Sequence, residues 1–486
     1  MCSFRSAQVF AVLATLALMG GSASAQTVPG KSMIYDEECR LGTESGDSQP
    51  YHALVYYPNE YAMRVPGLVI GAEKSGTDPV RRGAQAVSLK PAPDGIAVND
   101  RTTRWLKDVM QGGSKAVFIS HVAAFDGHDG TLVFDAYRSP AQANESRLDP
   151  SLRTVPWLDC KRQPVARANA YADSWRGIKA ARAQITTDLA RGQYTHVFMI
   201  AMGWNTVQIE AMQNFASIIR TLQATAPDKA NFRPYVIGFT WPSQWDNTFL
   251  GSVLVRPSSL LNKANDADEF AAGWLGASLR YAVLPALAEH AKQGQRPKLV
   301  AIGHSFGARA MSHAVCRGTV LPPEEGGPTG PPLAQGAVDA LINLQGAYSL
   351  NRLRASGAGP SELAYAPGCP AATRLVFTAS RHDSAAEAAA KLPGPLWAGS
   401  MKSWEKLQRE GMRLDDGSRM TLCTAQADGQ LVKGCDLSSQ TRMLYVNASE
   451  LIKYQSFGTG GGAHSDIYRP ETAQLLWQVL PLNHQP

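Results

Sequence analysis

Residues 298–308 read KLVAIGHSFGA, and no other stretch of the chain restricts its fold so sharply. Lys298 to Ile302 is a short, mostly apolar run; Gly303-His304-Ser305-Phe306-Gly307 follows at once, and Ala308 to Cys316 reads as a helix. A strand that becomes a helix within so few residues carries its central residue through strained backbone angles, and only small neighbours fit around it. Gly303 and Gly307, which lack a Cβ, supply that room. Ser305 then stands above the strand end, at the positive end of the following helix. A bare G-x-S-x-G is common in glycine-rich turns; here the flanking strand and helix give it meaning.

The rest of the chain from about residue 111 supports that placement. AVFISHVA (116–123) and TLVFDAY (131–137) are β-rich and joined by two Asp-Gly pairs, which predicts a hairpin. A helix is expected over 168–190. Apolar strands then alternate with helices: strands at 195–202, 234–240, 299–302, 338–344, 373–379 and 441–446, and helices at 207–222, at 268–290 with a kink at Pro285, and from Pro470 to about Leu480. Continuous apolar strands alternating with helices define an α/β fold with a mostly parallel sheet and helices on both faces. Residues 26–110, rich in Gly, Pro and polar residues, read as an irregular N-terminal extension that wraps the core, with short strands such as 52–57.

The chain has 486 residues, enough by size for more than one domain. Met1 to Ala25 has a basic start at Arg5, an apolar run from Val9 to Met19, and Ala23-Ser24-Ala25 before Gln26, the pattern of a cleaved signal peptide. The apolar run is too short to span a bilayer, so an exported, periplasmic or secreted product without a stable membrane span is expected. The net charge of +6 is mild and the basic residues are scattered, which gives nucleic-acid binding no support. Beyond Cys2, the even set Cys39, Cys160, Cys316, Cys369, Cys423 and Cys435 suggests disulfides in an exported chain. Six cysteines allow fifteen pairings, which stay open; the one put forward is Cys423–Cys435 across a short loop, Cys316–Cys369 and Cys39–Cys160. No Cys or His spacing suits a metal, so neither a metal site nor a cofactor is expected.

A serine hydroxyl needs a base, a group that orients the base, and donors for a developing oxyanion. Where the serine sits on such a turn, the chain order is serine, acid, histidine. His464, in the glycine-rich 460–466 segment, is the candidate base, ahead of the tail residue His484. Asp383 follows the 373–379 strand and is the candidate acid, with capping of the next helix as the alternative; Asp466 and Asp436 are the fallbacks. His304 reads as a structural residue, His313 as packed or exposed and not catalytic, and His382 as pointing away from Asp383. The backbone N–H of Phe306 would be one oxyanion donor. The other would come from Met202-Gly203-Trp204-Asn205-Thr206, with the Trp204 N–H as the candidate. Asn205 or Thr206 could serve as a helix cap there.

Taken together, Met202-Gly203-Trp204-Asn205, Phe239-Thr240-Trp241-Pro242-Ser243 and Gly303-His304-Ser305-Phe306-Gly307 resemble the α/β-hydrolase superfamily. Within it they resemble the bacterial lipase- or esterase-like group with H-G-[aromatic]-N, W-P-S and G-H-S-x-G motifs. Gly462-Ala463-His464-Ser465-Asp466 is similar to that group's catalytic-histidine loop, and the likeness spans about 190–480. The family has His where this chain has Met202. The resemblance implies an α/β-hydrolase fold and a triad of Ser305, His464 and Asp383, with no cofactor. It also implies hydrolysis of a small-molecule or lipid ester. A non-catalytic binding protein on the same scaffold, and an acyltransferase using the same triad, remain open, as do the acyl-chain length and the oligomeric state.

Overall fold

The computed structural model describes residues 63–74, 117–127, 130–135, 170–204, 206, 208–241, 243, 264, 266–294, 296–323, 338–354, 364–365, 368–389, 396–438, 441–455 and 462–481. The signal-like segment, the 52–57 strand, Cys39, Cys160, Asn205 and His484 lie outside them. The ten strands are β1 (Pro66–Lys74), β2 (Val117–Asp126), β3 (Gly130–Asp135), β4 (His196–Ala201), β5 (Pro234–Thr240), β6 (Lys298–His304), β7 (Ala340–Leu344), β8 (Arg374–Ala379), β9 (Met420–Thr424) and β10 (Met443–Asn447). They form one sheet in the order β3-β2-β1-β5-β4-β6-β7-β8-β10-β9. The β1–β2 and β2–β3 pairs are antiparallel and the other pairs are parallel.

Two helix layers cover this sheet because its strands are apolar on both faces. The first layer comprises α1 (Ala170–Arg191), the helical run 271–291 called α3, α4 (Phe306–Cys316) and α6 (Met401–Glu410). The second comprises α2 (Gln208–Thr225) and α7 (Pro470–Val479). On β4 and β6, Val197, Met199, Leu299 and Ala301 join the core under the first layer, while Phe198, Ile200, Val300 and Ile302 join the core under the second. This alternation is the period-two geometry of a strand with two buried faces. The short α5 (Ser384–Ala389) follows β8.

Three local features depart from the expected pattern. Residues 66–74 lie inside the sheet between β2 and β5, so the stretch read as extension supplies a strand. Two glycines interrupt its apolar run. A Cβ on Gly67 would meet the Val236 carbonyl oxygen at 2.1 Å, and one on Gly71 would strike the His121 ring. The short β9, MTLCT, was not anticipated; it pairs parallel to β10 at the sheet edge. In α3 the break falls at Gly273, whose φ and ψ are −98° and −106°, and not at Pro285. Pro285 follows the π-helical residues Leu279–Val283, and the backbone stays helical from Val283 into Leu284–Ala291. Two disulfides are formed, Cys316–Cys369 and Cys423–Cys435. No helix among the described residues is long and apolar enough to cross a membrane.

Topology selects where a ligand can enter. The chain passes from β4 to β5 on one side, then returns across β4 to lay β6 on its other side. The helices that follow β4 and β6 therefore pack on opposite faces of the sheet, and in open α/β sheets the carboxyl ends at such a switch point are where ligands bind. Residue 203 follows β4 and residue 305 follows β6.

Candidate active site

Ser305 has φ 56° and ψ −122°, and it is one of two non-glycine residues with positive φ among those described. Its neighbours must be glycine. A Cβ on Gly303 would lie 2.3 Å from Ala308 Cα, and one on Gly307 would lie 2.1 Å from the Ala201 carbonyl oxygen. Ser305 occupies the N-cap position of α4, yet its side chain makes no capping hydrogen bond. The bend is held through the backbone. Ser305 N–H donates to the Leu344 carbonyl (3.0 Å), and the Ser305 carbonyl accepts from Ala347 N–H (3.0 Å).

The α4 helix is anchored from behind. Arg309 donates through Nε and Nη2 to the two oxygens of Asp268 (2.9 and 2.7 Å), and Arg352 donates to the same pair (2.9 and 3.1 Å). Burial alone would raise the Asp268 carboxyl, but the two guanidiniums overcome it and hold it well below the ordinary carboxylate range. His313, on the same helix, is fully buried, and desolvation lowers it to about 3.

The loop after β4 lies against the serine. A Cβ on Gly203 would fall 2.4 Å from Ser305 Cβ and 2.9 Å from Oγ, so only glycine permits this approach. Trp241 Nε1–H donates to the Met202 carbonyl (2.8 Å), and Ser243 Oγ donates to the Thr206 carbonyl (2.8 Å) while accepting from Thr206 N–H (3.2 Å). The Trp241 and Ser243 side chains thus brace the loop that carries Trp204. Trp204 is partly buried against the first-layer core, and its indole N–H makes no hydrogen bond. Phe306 opens α4, so its backbone N–H is a first-turn donor with no partner inside the helix.

Asp383 and His464 meet at the same edge of the sheet. Asp383 is completely buried, and its Oδ2 lies 2.7 Å from His464 Nδ1. Its Oδ1 accepts from Ala386 N–H (2.9 Å), so the cap and the histidine contact coexist on one carboxylate. The segment bearing His464 is tied to the acid loop by an Asp383–Gly462 bridge and by Ala463 N–H donating to the His382 carbonyl (2.9 Å). Gly462 has φ +65°, and a Cβ there would meet that carbonyl at 2.5 Å. Asp466 is not an acid for the imidazole. Its Oδ2 accepts from Lys453 and Tyr454 N–H (2.9 Å each), and Arg469 clasps its carboxylate, so it joins the two ends of the 455–462 segment. Asp436 is fully exposed and accepts from Ser438 N–H (2.8 Å), away from the imidazole.

His304 links His464 to the bend that carries Ser305. Its Nε2–H donates to the His464 carbonyl (2.8 Å), and the two rings lie 4.7 Å apart between centroids. Burial, reinforced by the His464 charge, lowers His304 to about 3, so it is neutral at physiological pH. Among the described residues no hydrogen bond joins Ser305 Oγ to His464; such contacts commonly tighten only when substrate is bound.

Sequence reading did not single out Gln345, Asp268, Arg309 or Arg352. Gln345 has φ 47° and is completely buried at the carboxyl end of β7, between the strands that lead to Ser305 and Asp383. Nothing in the string LINLQGAYS marks it, because a left-handed glutamine has no local signature. No family model, curated protein or solved structure matches this chain.

Proposed function

We propose that the chain is an exported serine hydrolase of the α/β-hydrolase superfamily that cleaves a carboxylic ester through an acyl-enzyme. The observation that carries the reading is the 2.7 Å Asp383–His464 contact, at the same sheet edge as a serine held at φ 56°. Asp383 fixes the imidazole with Nδ1–H toward the carboxylate, which leaves Nε2 as the base. Ser305 Oγ attacks the acyl carbon as His464 Nε2 takes its proton. The oxyanion is received by the backbone N–H groups of Phe306 and Trp204. His464 returns the proton to the departing alcohol, then activates a water that releases the acid and restores Ser305. Trp204, half-buried on the loop that lies against Ser305, suits the apolar part of a small-molecule or lipid ester, whereas Trp241 and Phe306 are buried in the core. The two disulfides fit an oxidising compartment outside the cytoplasm.

The test is labelling by a fluorophosphonate, followed by turnover of a p-nitrophenyl ester. The wild type is expected to label at Ser305. Ser305→Ala is expected to lose at least about 10³-fold in kcat with its circular dichroism unchanged. Turnover retained by well-purified Ser305→Ala protein sinks the proposal. The absence of a Ser305–His464 hydrogen bond, together with Met202 where the family carries His, favours one other reading, a non-catalytic binding protein. A folded protein that never labels would support it. Added alcohol acceptors, with product analysis, separate hydrolysis from acyl transfer.

A further inference from the structure

Gln345 combines two costly features that no packing need explains. It is a non-glycine residue in the left-handed region, with φ 47°. Its Nε2 is also buried without a hydrogen-bond partner, in a side chain with no exposed surface. Strain and an unsatisfied donor at one residue are retained where surrounding structure needs the exact backbone path. That path lies against the serine. The left-handed turn carries the chain from the Leu344 carbonyl, which accepts from Ser305 N–H (3.0 Å), to Ala347 N–H, which donates to the Ser305 carbonyl (3.0 Å). Both peptide groups flanking the serine's Cα are gripped by the two ends of this one turn.

The side chain locks the turn to the next strand. Gln345 N–H donates to Thr378 Oγ1 (3.1 Å), and Thr378 Oγ1 donates to Gln345 Oε1 (3.1 Å). Thr378 is the penultimate residue of β8, the strand that leads into the loop bearing Asp383. From outside, the turn is covered at Gly399, where a Cβ would lie 2.8 Å from the Gln345 carbonyl carbon, and Gly399 N–H donates to the Gly346 carbonyl (2.9 Å).

We propose that Gln345 is a positioning residue for the nucleophile: its left-handed turn clamps the Ser305 backbone, and its bond to Thr378 ties that clamp to the strand carrying the acid. The proposal deepens the hydrolase reading and rests on it. Gln345 does not touch the reacting atoms. It acts by setting where the Ser305 hydroxyl stands relative to the imidazole and the oxyanion donors, so its loss lowers kcat while KM holds.

The experiment compares Gln345→Gly, Thr378→Val and Thr378→Ser, and the Gln345→Gly/Thr378→Val double variant. Fluorophosphonate labelling rate, kcat and KM are measured, with amide hydrogen exchange at Ser305 and Ala347. Gln345→Gly tolerates the turn but lacks the carboxamide, and Thr378→Val keeps the shape but lacks the hydroxyl. Each is expected to lower the labelling rate and kcat by about tenfold or more. KM should stay within about twofold. The double variant should fall no further than either single one, and Thr378→Ser should recover most of the rate. Where Gln345→Gly fails to fold, Gln345→Asn takes its place, because Asn also tolerates the left-handed region. Folded Gln345→Gly and Thr378→Val proteins that label at the wild-type rate overturn the proposal. A wild type that never labels defeats the hydrolase reading instead, and the clamp is then decided by exchange alone. Faster exchange at Ser305 and Ala347 in both variants upholds it, and unchanged exchange refutes it.

Discussion

Asp383 gives each of its carboxylate oxygens a separate task, Oδ1 to the Ala386 amide and Oδ2 to His464. A neutral amide at 383 would keep an acceptor for the cap but lose the charge that stabilises an imidazolium. Asp383→Asn is therefore expected to fold with a melting temperature close to wild type while kcat falls by roughly 10²–10⁴-fold. Asp383→Ala should lose the same activity and, in addition, about 1 kcal/mol from the missing cap. Thermal unfolding set beside p-nitrophenyl ester turnover separates the two effects. If the two variants prove equally stable, the capping role is wrong. Candidate residues of this kind were legible in the sequence because chain order and strand ends are local facts. Which oxygen serves which partner was not, since it depends on how the 462–464 segment lies across the acid loop.

At the scale of elements, the serine's bend depends on what stands behind α4 and beside it. The Asp268 carboxylate is the shared acceptor for Arg309 on α4 and Arg352 beyond β7. Its removal leaves two buried guanidiniums without that carboxylate, so Asp268→Asn is expected to cost about 3–5 kcal/mol by chemical denaturation. An effect below about 1 kcal/mol would mean that solvent reaches the cluster. The β4–α2 loop has its own brace in Trp241 and Ser243. In Trp241→Phe, ring packing persists while the Met202 carbonyl loses its 2.8 Å donor. The expected outcome is a drop in kcat of about tenfold, with stability reduced by on the order of 1 kcal/mol. The W-P-S string drew attention only through resemblance, and its mechanical role emerged once β4 and β5 were seen side by side.

For the molecule as a whole, buried histidines make acid the weak direction. His304 and His313 are lowered to about 3 by burial, and His196 is lowered for the same leading reason. His304 and His313 are neutral when folded but take up a proton near pH 6.5 once unfolded. The unfolded chain therefore binds more protons between about pH 6.5 and 3. Stability is complete above that window and declines as pH falls through it, by up to about 1.4 kcal/mol per pH unit for each histidine. Urea midpoints measured from pH 7.5 to 4 should fall steadily, and His313→Phe should flatten the slope if the variant folds. A midpoint independent of pH would show that these rings are solvated. The Cys316–Cys369 bridge pins the end of α4 to the segment before β8, so reduction is expected to remove about 2–5 kcal/mol.

Local chemistry settled the class of architecture. Apolar runs of strand length alternating with helical periods leave little choice but a covered parallel sheet, and KLVAIGHSFGA carries the two glycines that its bend requires. The hairpin and the presence of disulfides were readable because turn residues and cysteine parity are written in the string, whereas which cysteines pair was decided by the fold. Long-range packing decided the rest. The 66–74 strand was hidden because its glycines answer to Val236 and His121, residues far away in sequence. Gln345 was hidden because a backbone angle is imposed by neighbouring strands and not by the side chain that bears it. The meeting of Asp383 with His464 depends on two segments 81 residues apart being folded over one sheet edge, a matter of chain path that composition and spacing do not encode.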